Sequence, residues 1–517
     1  MTPRAAPVGV PSPELLPGSG WGSEKARTSG EGTAVSAAVE LPRTSRTVGG
    51  SAALVTSWVA CLLLLGLTLP LGRPVNDDYW ALGSLNDLGF LDSLTWYYLN
   101  YQGNVVSWFF ILLHEVPWWD GIRVWGAAPS LLVVYGVLAG ACWGALRFLG
   151  VRLPNGWRRW AVLTIVTTVV WLSLASVVSP NTMTLVFYVP STIVHVWPWC
   201  FFLIALGIVS RGSRLPLAWL WMLFLGLLAA SLGLVEAVLV SASSLIVAWA
   251  MRRKRSTLSI SPLAVGAWFA GLGAGLLVQL VSPATWGRGS GIGSEGALST
   301  NVQAVERVLA QGDALMGSAF SQGLLNVAAL EVWARALVPV AVIGDLLLRP
   351  GLVAIFVMAA WWSLRDPGAF TFSGSQLRPR LVGLALVTLT GAVAYSLSGA
   401  LYAYAGRHVA GLAIVVSVLM AGLGVYWRNW WSNRSRLLRA AAVLSAVTLV
   451  ALGVQQAWFG ITRAVAWDDA LALNRALIQE GRLSELMNVP LKAGVSQSGL
   501  RDHDGSPSYV EWVQQQE

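Results

Sequence analysis

The fold is decided by one stretch, Leu62-Leu-Leu-Leu-Gly-Leu-Thr-Leu-Pro-Leu-Gly-Arg-Pro-Val-Asn-Asp-Asp-Tyr-Trp80, in which an apolar run passes directly into two adjacent carboxylates. Similar apolar runs recur along the 517-residue chain, of which 55% is hydrophobic, and the mean hydropathy is +0.62. Runs of about 18 or more apolar residues are long enough to cross the hydrocarbon core of a bilayer as helices. The composition therefore predicts an all-α polytopic membrane protein.

The net charge of +9 does not indicate a nucleic-acid partner. Arginine and lysine gather in short loops between the apolar runs, where they set membrane topology and leave no basic face on a soluble domain. The three cysteines lie in apolar runs without paired Cys/His spacing: Cys61, Cys142 and Cys200. This pattern argues against a disulfide framework and against a zinc site.

We predict about eleven transmembrane helices. They are expected near residues 51–71, 124–147, 159–178, 187–209, 216–232, 234–251, 262–281, 350–364, 381–401, 408–426 and 438–459. Loops rich in arginine, such as the one containing Arg378 and Arg380, alternate with loops poor in cations. The alternation puts the N-terminus in the cytoplasm and the acidic pair on the extracytoplasmic face.

The chain divides into three regions. Residues 1–48 are rich in Pro, Gly and Ser and are expected to form a disordered cytoplasmic tail. Residues 49–459 form the transmembrane domain, which includes a first outer loop at 72–123 with juxtamembrane helices. A second outer loop at 282–349 is expected to carry interfacial helices. Residues 460–517 form a small extracytoplasmic region, which either caps the outer loops or contacts a glycan acceptor.

Asp77 and Asp78 are the candidate catalytic residues. They either end a helix at headgroup level, or one of them accepts a proton from an attacking hydroxyl while the other helps. Arg288 and Arg407 lie in loops predicted to share the outer face, where each either snorkels to headgroups or holds a donor phosphate. His408 either adds a donor to that phosphate or is structural.

Two further positions have alternative interpretations. Glu236 lies in an apolar run, where an ionisable group is costly and is by default a functional candidate, or else braces a helix turn. Tyr188 and His195 open an apolar segment whose Pro and polar content indicates a broken helix lining a cavity, although an aromatic belt explains its tryptophans equally well. Asn181 occupies a turn predicted on the same outer face.

The order of these elements resembles the GT-C superfamily of integral-membrane glycosyltransferases, notably actinobacterial members that use polyprenyl-phosphate sugars. An Asp-Asp-Tyr element corresponds to Asp77-Asp78-Tyr79, and a second segment of the same loop corresponds to Tyr101-Gln-Gly-Asn104. A later turn corresponds to Ser282-Pro-Ala-Thr-Trp-Gly-Arg288, and an arginine at a helix start corresponds to Gly406-Arg407.

The resemblance implies inverting transfer of a sugar from a polyprenyl-phosphate donor to a cell-envelope glycan or lipid-linked acceptor. The reaction would occur on the extracytoplasmic face of a bacterial plasma membrane. Asp77 would be the general base and Asp78 its helper, in roles that can be exchanged, while Arg288, Arg407 and His408 would bind the donor phosphate. The substrate groove would be lined by Tyr79, Trp80, Trp96, Tyr98, Tyr101, Gln102, Asn104, Asn181, Tyr188, His195 and Glu236.

Two other functions remain open on the sequence alone. A lipid-linked sugar transporter or flippase predicts inverted repeats and charges near the bilayer midplane, and the sequence shows no internal repeat. A polysaccharide polymerase or ligase also uses lipid-linked substrates, but it does not need the acidic pair. We expect no cofactor, because a monophosphate donor does not require one; a divalent metal at Asp77 and Asp78 is the alternative.

Overall fold

The computed structural model describes residues 47–68, 71–73, 77–119, 128–178, 189–211, 217–252, 261–285, 343–344, 346–371, 374–397, 407–489 and 507–514. Across these ranges the chain forms helices and turns and contains no strand, as the prediction of an all-α protein requires. Residues 51–517 form one compact unit, and the separate unit Met1–Gly50 is described only at 47–50. The predicted tail up to residue 46 lies outside the described residues, as do residues 286–342 and 345 of the outer loop at 282–349 in which interfacial helices are expected.

The helices follow one another in a single chain order. They are α1 (Thr47–Thr68), α2 (Asp77–Trp96), a π-helical turn (Tyr97–Tyr101), α3 (Val105–Trp119), α4 (Ala128–Phe148), α5 (Trp157–Val178), α6 (Val189–His195), α7 (Trp197–Arg211), α8 (Ala218–Ser231), α9 (Leu234–Arg252), α10 (Pro262–Val281), α11 (Pro350–Arg365), α12 (Gly374–Leu397), α13 (Arg407–Tyr426), α14 (Arg428–Ser432), α15 (Ser435–Gln479) and α16 (Pro507–Gln514). Short 3₁₀ turns occur at Pro367–Ala369 and Leu483–Glu485.

Many of these helices are apolar enough to be buried in lipid. Five in the described part of the chain are long and apolar enough to cross a membrane: Ser130–Phe148, Leu234–Arg252, Pro262–Val281, Gly374–Ala394 and Ser435–Gln479. Shorter apolar helices accompany them: Ala52–Thr68, Val105–Val116, Trp197–Ser210, Ala218–Ser231, Pro350–Arg365 and Ala410–Tyr426. The chain is therefore an all-α membrane protein, and the count of eleven spans stays a prediction.

Two predicted spans differ from the observed helices in an informative way. The segment predicted at 187–209 is interrupted at Val196, between α6 and α7, as its Pro content indicated. The segment predicted at 438–459 belongs to α15, a continuous helix of 45 residues. At 1.5 Å per residue α15 is about 67 Å long, roughly twice the thickness of a bilayer core. Its second half therefore extends past the apolar layer to the region of the acidic pair.

Small residues let neighbouring helices approach closely. A Cβ atom on Gly275 of α10 would lie 2.7 Å from the Leu227 carbonyl oxygen of α8 and 2.8 Å from the Ala230 Cβ. Gly226 and Gly271 meet the backbone of the facing helix in the same way. In lipid, where burial of apolar surface does not drive helix association, such close backbone contact supplies the packing energy.

We predict that Gly275→Ala lowers the thermal stability of the purified protein, because the added methyl group meets backbone that cannot move aside. Gly273→Ala is the matched control, since a Cβ at this α10 position has nothing within 4 Å. Relative to glycine, alanine favours a helix by roughly 0.5–1 kcal/mol, so the control is expected to be neutral or slightly stabilising. Equal melting temperatures for the two variants would contradict the proposed close packing.

Loops predicted to lie in the cytoplasm contact one another. The Arg152 amide donates to the Ala369 carbonyl at 2.6 Å, and the Thr371 amide donates to the Gly150 carbonyl at 2.9 Å. Arg380, predicted to lie in such a loop, instead lies inside α12, where it is buried and donates to the Phe148 carbonyl at the end of α4. The guanidinium thus satisfies a carbonyl that the helix end leaves free.

Candidate functional site

The first apolar helix is followed by a helical hairpin made of α2 and α3. Gly89 has a φ of 75°, which glycine adopts without steric cost, and it kinks α2 in the middle. Across the kink the Ser93 hydroxyl donates to the Ser84 carbonyl at 2.7 Å. The Tyr97 and Trp108 rings stack 3.6 Å apart and hold α3 against the end of α2. The hairpin brings side chains of α3 towards the start of α2.

Asp78 lies in the first turn of α2 and is completely buried. The N-terminal turn of a helix stabilises negative charge through its free amide groups, so a carboxylate there is locally favourable. The neighbouring Asp77 begins the same helix, and its side chain lies outside the described residues. Of the predicted pair, the structure therefore describes one member, and that member points into the protein interior.

A carboxyl group and an imidazole from α3 meet Asp78 in the interior. Ligand atoms of Asp78, His114 and Glu115 all lie within 4.8 Å of one another, and all three residues are buried. His114 Nε2 lies 3.5 Å from Glu115 Oε1. We call these three residues the carboxyl cluster.

The carboxyl cluster is electrostatically costly unless something compensates its charge. Two like charges about 4 Å apart repel by roughly 4 kcal/mol at an effective dielectric constant of about 20, and burial adds a desolvation cost. Adjacent buried carboxyl groups therefore share a proton or hold a cation. Apolar side chains would fill the same space at lower cost. Buried clusters of ionisable groups in membrane proteins are therefore uncommon, and they typically mark functional sites.

Two segments that resemble the glycosyltransferase motifs come together beside α3. The Tyr98 hydroxyl donates to the Val278 carbonyl at 3.0 Å, and the Ser282 hydroxyl donates to the Tyr98 carbonyl. A Cβ atom on Gly103 would lie 2.8 Å from the Ser282 Cβ, so only glycine fits there. The loop at 101–104 and the start of the turn at 282–288 are thus in direct contact, as their prediction on one face requires.

Side chains from the same part of the chain, Asn104 and Ser107, also contact the interruption between α8 and α9 at Leu232. Asn104 Nδ2 donates to the Leu232 carbonyl at 3.1 Å, and the Ser107 hydroxyl donates to the same oxygen. The interrupted helix leaves this carbonyl without a backbone partner, and the two side chains satisfy it. Glu115 lies eight residues further along α3 than Ser107, or about 12 Å. We call the polar contacts at residues 98–107, 232 and 278–282 the polar seam.

His195 and Glu236 form a second pair of an acid and an imidazole, in which Glu236 is buried and His195 is partly exposed. His195 Nδ1 lies 2.6 Å from Glu236 Oε1, at the end of α6 and in the first turn of α9 respectively. The sequence interpretation placed both residues in a substrate groove, and the structure brings them together. The contact also fits the alternative in which Glu236 braces a helix turn, because Glu236 lies just after the break at Leu232.

The start of α2 is held by the C-terminal part of the chain. Trp467 Nε1 of α15 donates to the Tyr79 hydroxyl oxygen at 3.2 Å. The Tyr79 ring lies 4.9 Å from the Tyr509 ring and 5.3 Å from the Trp512 ring, both on α16. Tyr79 is therefore a buried packing residue and is not free to stack on a sugar in this conformation.

Polar contacts complete this arrangement. Arg73 Nε and Nη2 lie 3.0 and 3.1 Å from the two Asp468 carboxylate oxygens, in a forked ion pair. Asn474 Nδ2 donates to the Tyr509 hydroxyl at 2.7 Å and so fixes α16 on α15. We call Trp467, Asp468, Asn474, Tyr509 and Trp512 the C-terminal clamp. The C-terminal clamp thus packs on the start of α2, and the cap formed by the whole of residues 460–517 stays a prediction.

The remaining predicted site residues fall into three groups. Tyr101 and Gln102 belong to the polar seam, and Trp80 lies beside it: its ring is 5.6 Å from the Tyr101 ring, and the residue is 41% exposed. Three others lie outside the described residues: Asn181, Tyr188 and Arg288. Arg407 and His408 begin α13, and their side chains are not among those described. The proposed donor-phosphate site therefore remains a prediction.

Sequence reasoning missed His114 and Glu115, which are the partners of Asp78. A signal was present, because the two ionisable residues stand together within the apolar run Trp108-Phe-Phe-Ile-Leu-Leu-His-Glu-Val116. Like Glu236, they are ionisable groups in an apolar run, where such groups are costly and are by default functional candidates.

Comparison of the chain with protein-family models, with curated proteins and with solved structures finds no match.

Proposed function

We propose that this chain is a membrane glycosyltransferase that transfers a sugar from a polyprenyl-phosphate donor to a glycan or lipid-linked acceptor of the bacterial cell envelope. The observation that carries the proposal is the contact between Asp78 and a second buried carboxyl group, Glu115, directly after the first apolar helix. A membrane protein retains such costly groups where its chemistry needs them. The contact between the two motif-like segments at the polar seam supports the same conclusion.

The burial of Asp78 suggests which member of the acidic pair is the general base and which is the helper. Because Asp78 is enclosed with Glu115 and His114, it suits the helper role, and Asp77 is the general base. Asp77 takes the proton of the acceptor hydroxyl as its oxygen attacks the anomeric carbon from the side opposite the phosphate. The bond between that carbon and the phosphate oxygen breaks, and polyprenyl phosphate leaves with the electron pair. The configuration at the anomeric carbon is inverted.

The leaving phosphate gains charge as this bond breaks. In the proposal, Arg288 and Arg407 bind it, since a guanidinium group pairs with phosphate oxygens in a forked geometry and remains charged. His408, next to Arg407, adds a hydrogen-bond donor. No nucleotide or other cofactor is required for this reaction.

Transport of a lipid-linked sugar is the second candidate, and one observation favours it. The helices α6–α7 and α8–α9 are both interrupted, and the His195–Glu236 pair joins the two breaks. Interrupted helices with ionisable groups at the break are typical of secondary transporters. In that case the pair binds a coupling proton or the substrate headgroup.

A vesicle experiment separates the two candidates. The full chain is reconstituted with a panel of radiolabelled polyprenyl-phosphate sugars and cell-envelope glycan fragments as acceptors. Transfer predicts that label appears on the acceptor while free polyprenyl phosphate accumulates. Movement of intact labelled lipid between leaflets, without any label on an acceptor, would instead establish transport and overturn the proposal.

A further inference from the structure

Two members of the carboxyl cluster, His114 and Glu115, carry buried polar atoms that lack a hydrogen-bond partner among the described residues. Neither carboxylate oxygen of Glu115 has a hydrogen-bond partner of normal geometry there, and His114 Nδ1 also has none. Glu115 is completely buried, and His114 is 5% exposed. Ligand atoms of the other two members of the cluster lie within 4.8 Å of the Glu115 carboxylate. Its carboxylate is therefore a buried acceptor directed at a second carboxyl group.

Few states of this cluster are electrically neutral. With one shared proton and a neutral imidazole, the three side chains together keep one negative charge, and burying such a charge costs several kcal/mol. Two protons neutralise both carboxyl groups. The two O–H groups then serve three acceptors, which are the two carbonyl oxygens of the acids and one imidazole nitrogen. A divalent cation neutralises both ionised carboxylates at once, and a neutral imidazole coordinates it through a ring nitrogen.

We propose that Asp78, His114 and Glu115 bind a divalent transition-metal ion, with zinc as the ion to be tested. The mixed oxygen and nitrogen ligands fit zinc or manganese better than magnesium, which prefers oxygen ligands alone. Zinc binds carboxylate oxygen and imidazole nitrogen at about 2.0–2.2 Å, so tetrahedral ligand atoms lie roughly 3.4 Å apart. The observed ligand atoms lie within 4.8 Å, and small side-chain rotations bring them to that spacing.

Three protein ligands leave one tetrahedral position open, which is the arrangement of zinc sites that bind water or substrate. A metal at this point would also keep Asp78 ionised and fix its orientation next to Asp77. The metal site is inferred from the cluster alone, so it is tested by metal content and does not depend on sugar transfer.

The test uses the full chain, purified without a histidine tag and reconstituted in lipid nanodiscs. The protein is stripped with a chelator, equilibrated with Zn²⁺ and desalted, and its bound zinc is measured by mass spectrometry. We expect about one zinc ion per chain in the wild type. Glu115→Gln, which keeps the shape of a protonated glutamic acid, is expected to weaken binding at least as much as the roughly 100-fold loss caused by removing an outer-shell partner.

Two variants serve as controls for other acid and imidazole groups. Asp92→Asn removes an exposed carboxylate from α2, and His195→Gln removes the imidazole of the His195–Glu236 pair; both variants are expected to keep the zinc. A second measurement uses wild-type protein alone, whose melting temperature is expected to rise with added Zn²⁺ because a ligand of the folded state stabilises it.

Wild-type protein that holds no zinc and shows no thermal shift would overturn the proposal and leave a protonated carboxyl pair. Zinc retained at full stoichiometry by Glu115→Gln would equally overturn it, because the metal would then lie elsewhere. These results are separate from the transfer assay, so the metal site and the glycosyltransferase proposal can fail independently.

Discussion

Asp77→Asn is expected to reduce the rate of sugar transfer by about 10²–10⁴, the usual contribution of a general base. Asparagine has nearly the shape of aspartate but cannot accept the proton of the acceptor hydroxyl. The proposed donor-binding groups are Arg288 and Arg407, so the affinity for the donor should be almost unchanged. Transfer rate and donor affinity are measured on the same preparation in nanodiscs, which separates a loss of chemistry from a loss of binding.

The matched control for Asp77 is Asp87→Asn, because Asp87 is an exposed carboxylate on the same helix. It removes one negative charge from α2 without touching the acidic pair, and full activity is expected. An Asp77→Asn protein as active as Asp87→Asn would remove Asp77 from the chemistry. Loss of activity in both variants would indicate a general effect of charge on α2.

Trp512→Ala is expected to destabilise the protein by roughly 3–5 kcal/mol, the usual cost of removing a buried large aromatic side chain. Trp512 is 5% exposed and packs against Tyr79, the residue that follows Asp78. Loss of this packing frees the first turn of α2, so the transfer rate should fall even at temperatures where the variant remains folded. Thermal unfolding and transfer at low temperature measure the two effects.

Trp458→Ala provides the comparison for Trp512. Trp458 lies on α15 and is 66% exposed, so its removal leaves no cavity in the protein. Its melting temperature and activity should both stay close to those of the wild type. If Trp512→Ala behaved like Trp458→Ala, the C-terminal clamp would have no role in positioning the acidic pair.

The helices could be predicted from the sequence because apolar runs are a local signal. The interruption of the predicted span at 187–209 could also be predicted from the sequence, because its prolines lack the amide hydrogen that a regular helix requires. Contact between residues 101–104 and the turn at 282 followed from topology, because both were predicted on one face. None of these inferences required knowledge of distant side-chain pairs.

The partners of Asp78 and Tyr79 could not be predicted in this way. Glu115 meets Asp78 only because Gly89 kinks α2 and the stacked Tyr97 and Trp108 rings fix the angle of α3. Tyr79 looked like a groove residue because aromatic residues near an interface commonly bind ligands. Its burial depends on α16, which follows more than four hundred residues later in the chain.

The most direct test of the central claim is the product balance of purified wild-type protein supplied with a polyprenyl-phosphate sugar and a cell-envelope acceptor. Mass spectrometry should find one glycosylated acceptor for each polyprenyl phosphate released, with the anomeric configuration inverted. Donor that binds but is recovered unchanged across the panel of sugars and acceptors would contradict the assignment of this membrane protein as a glycosyltransferase.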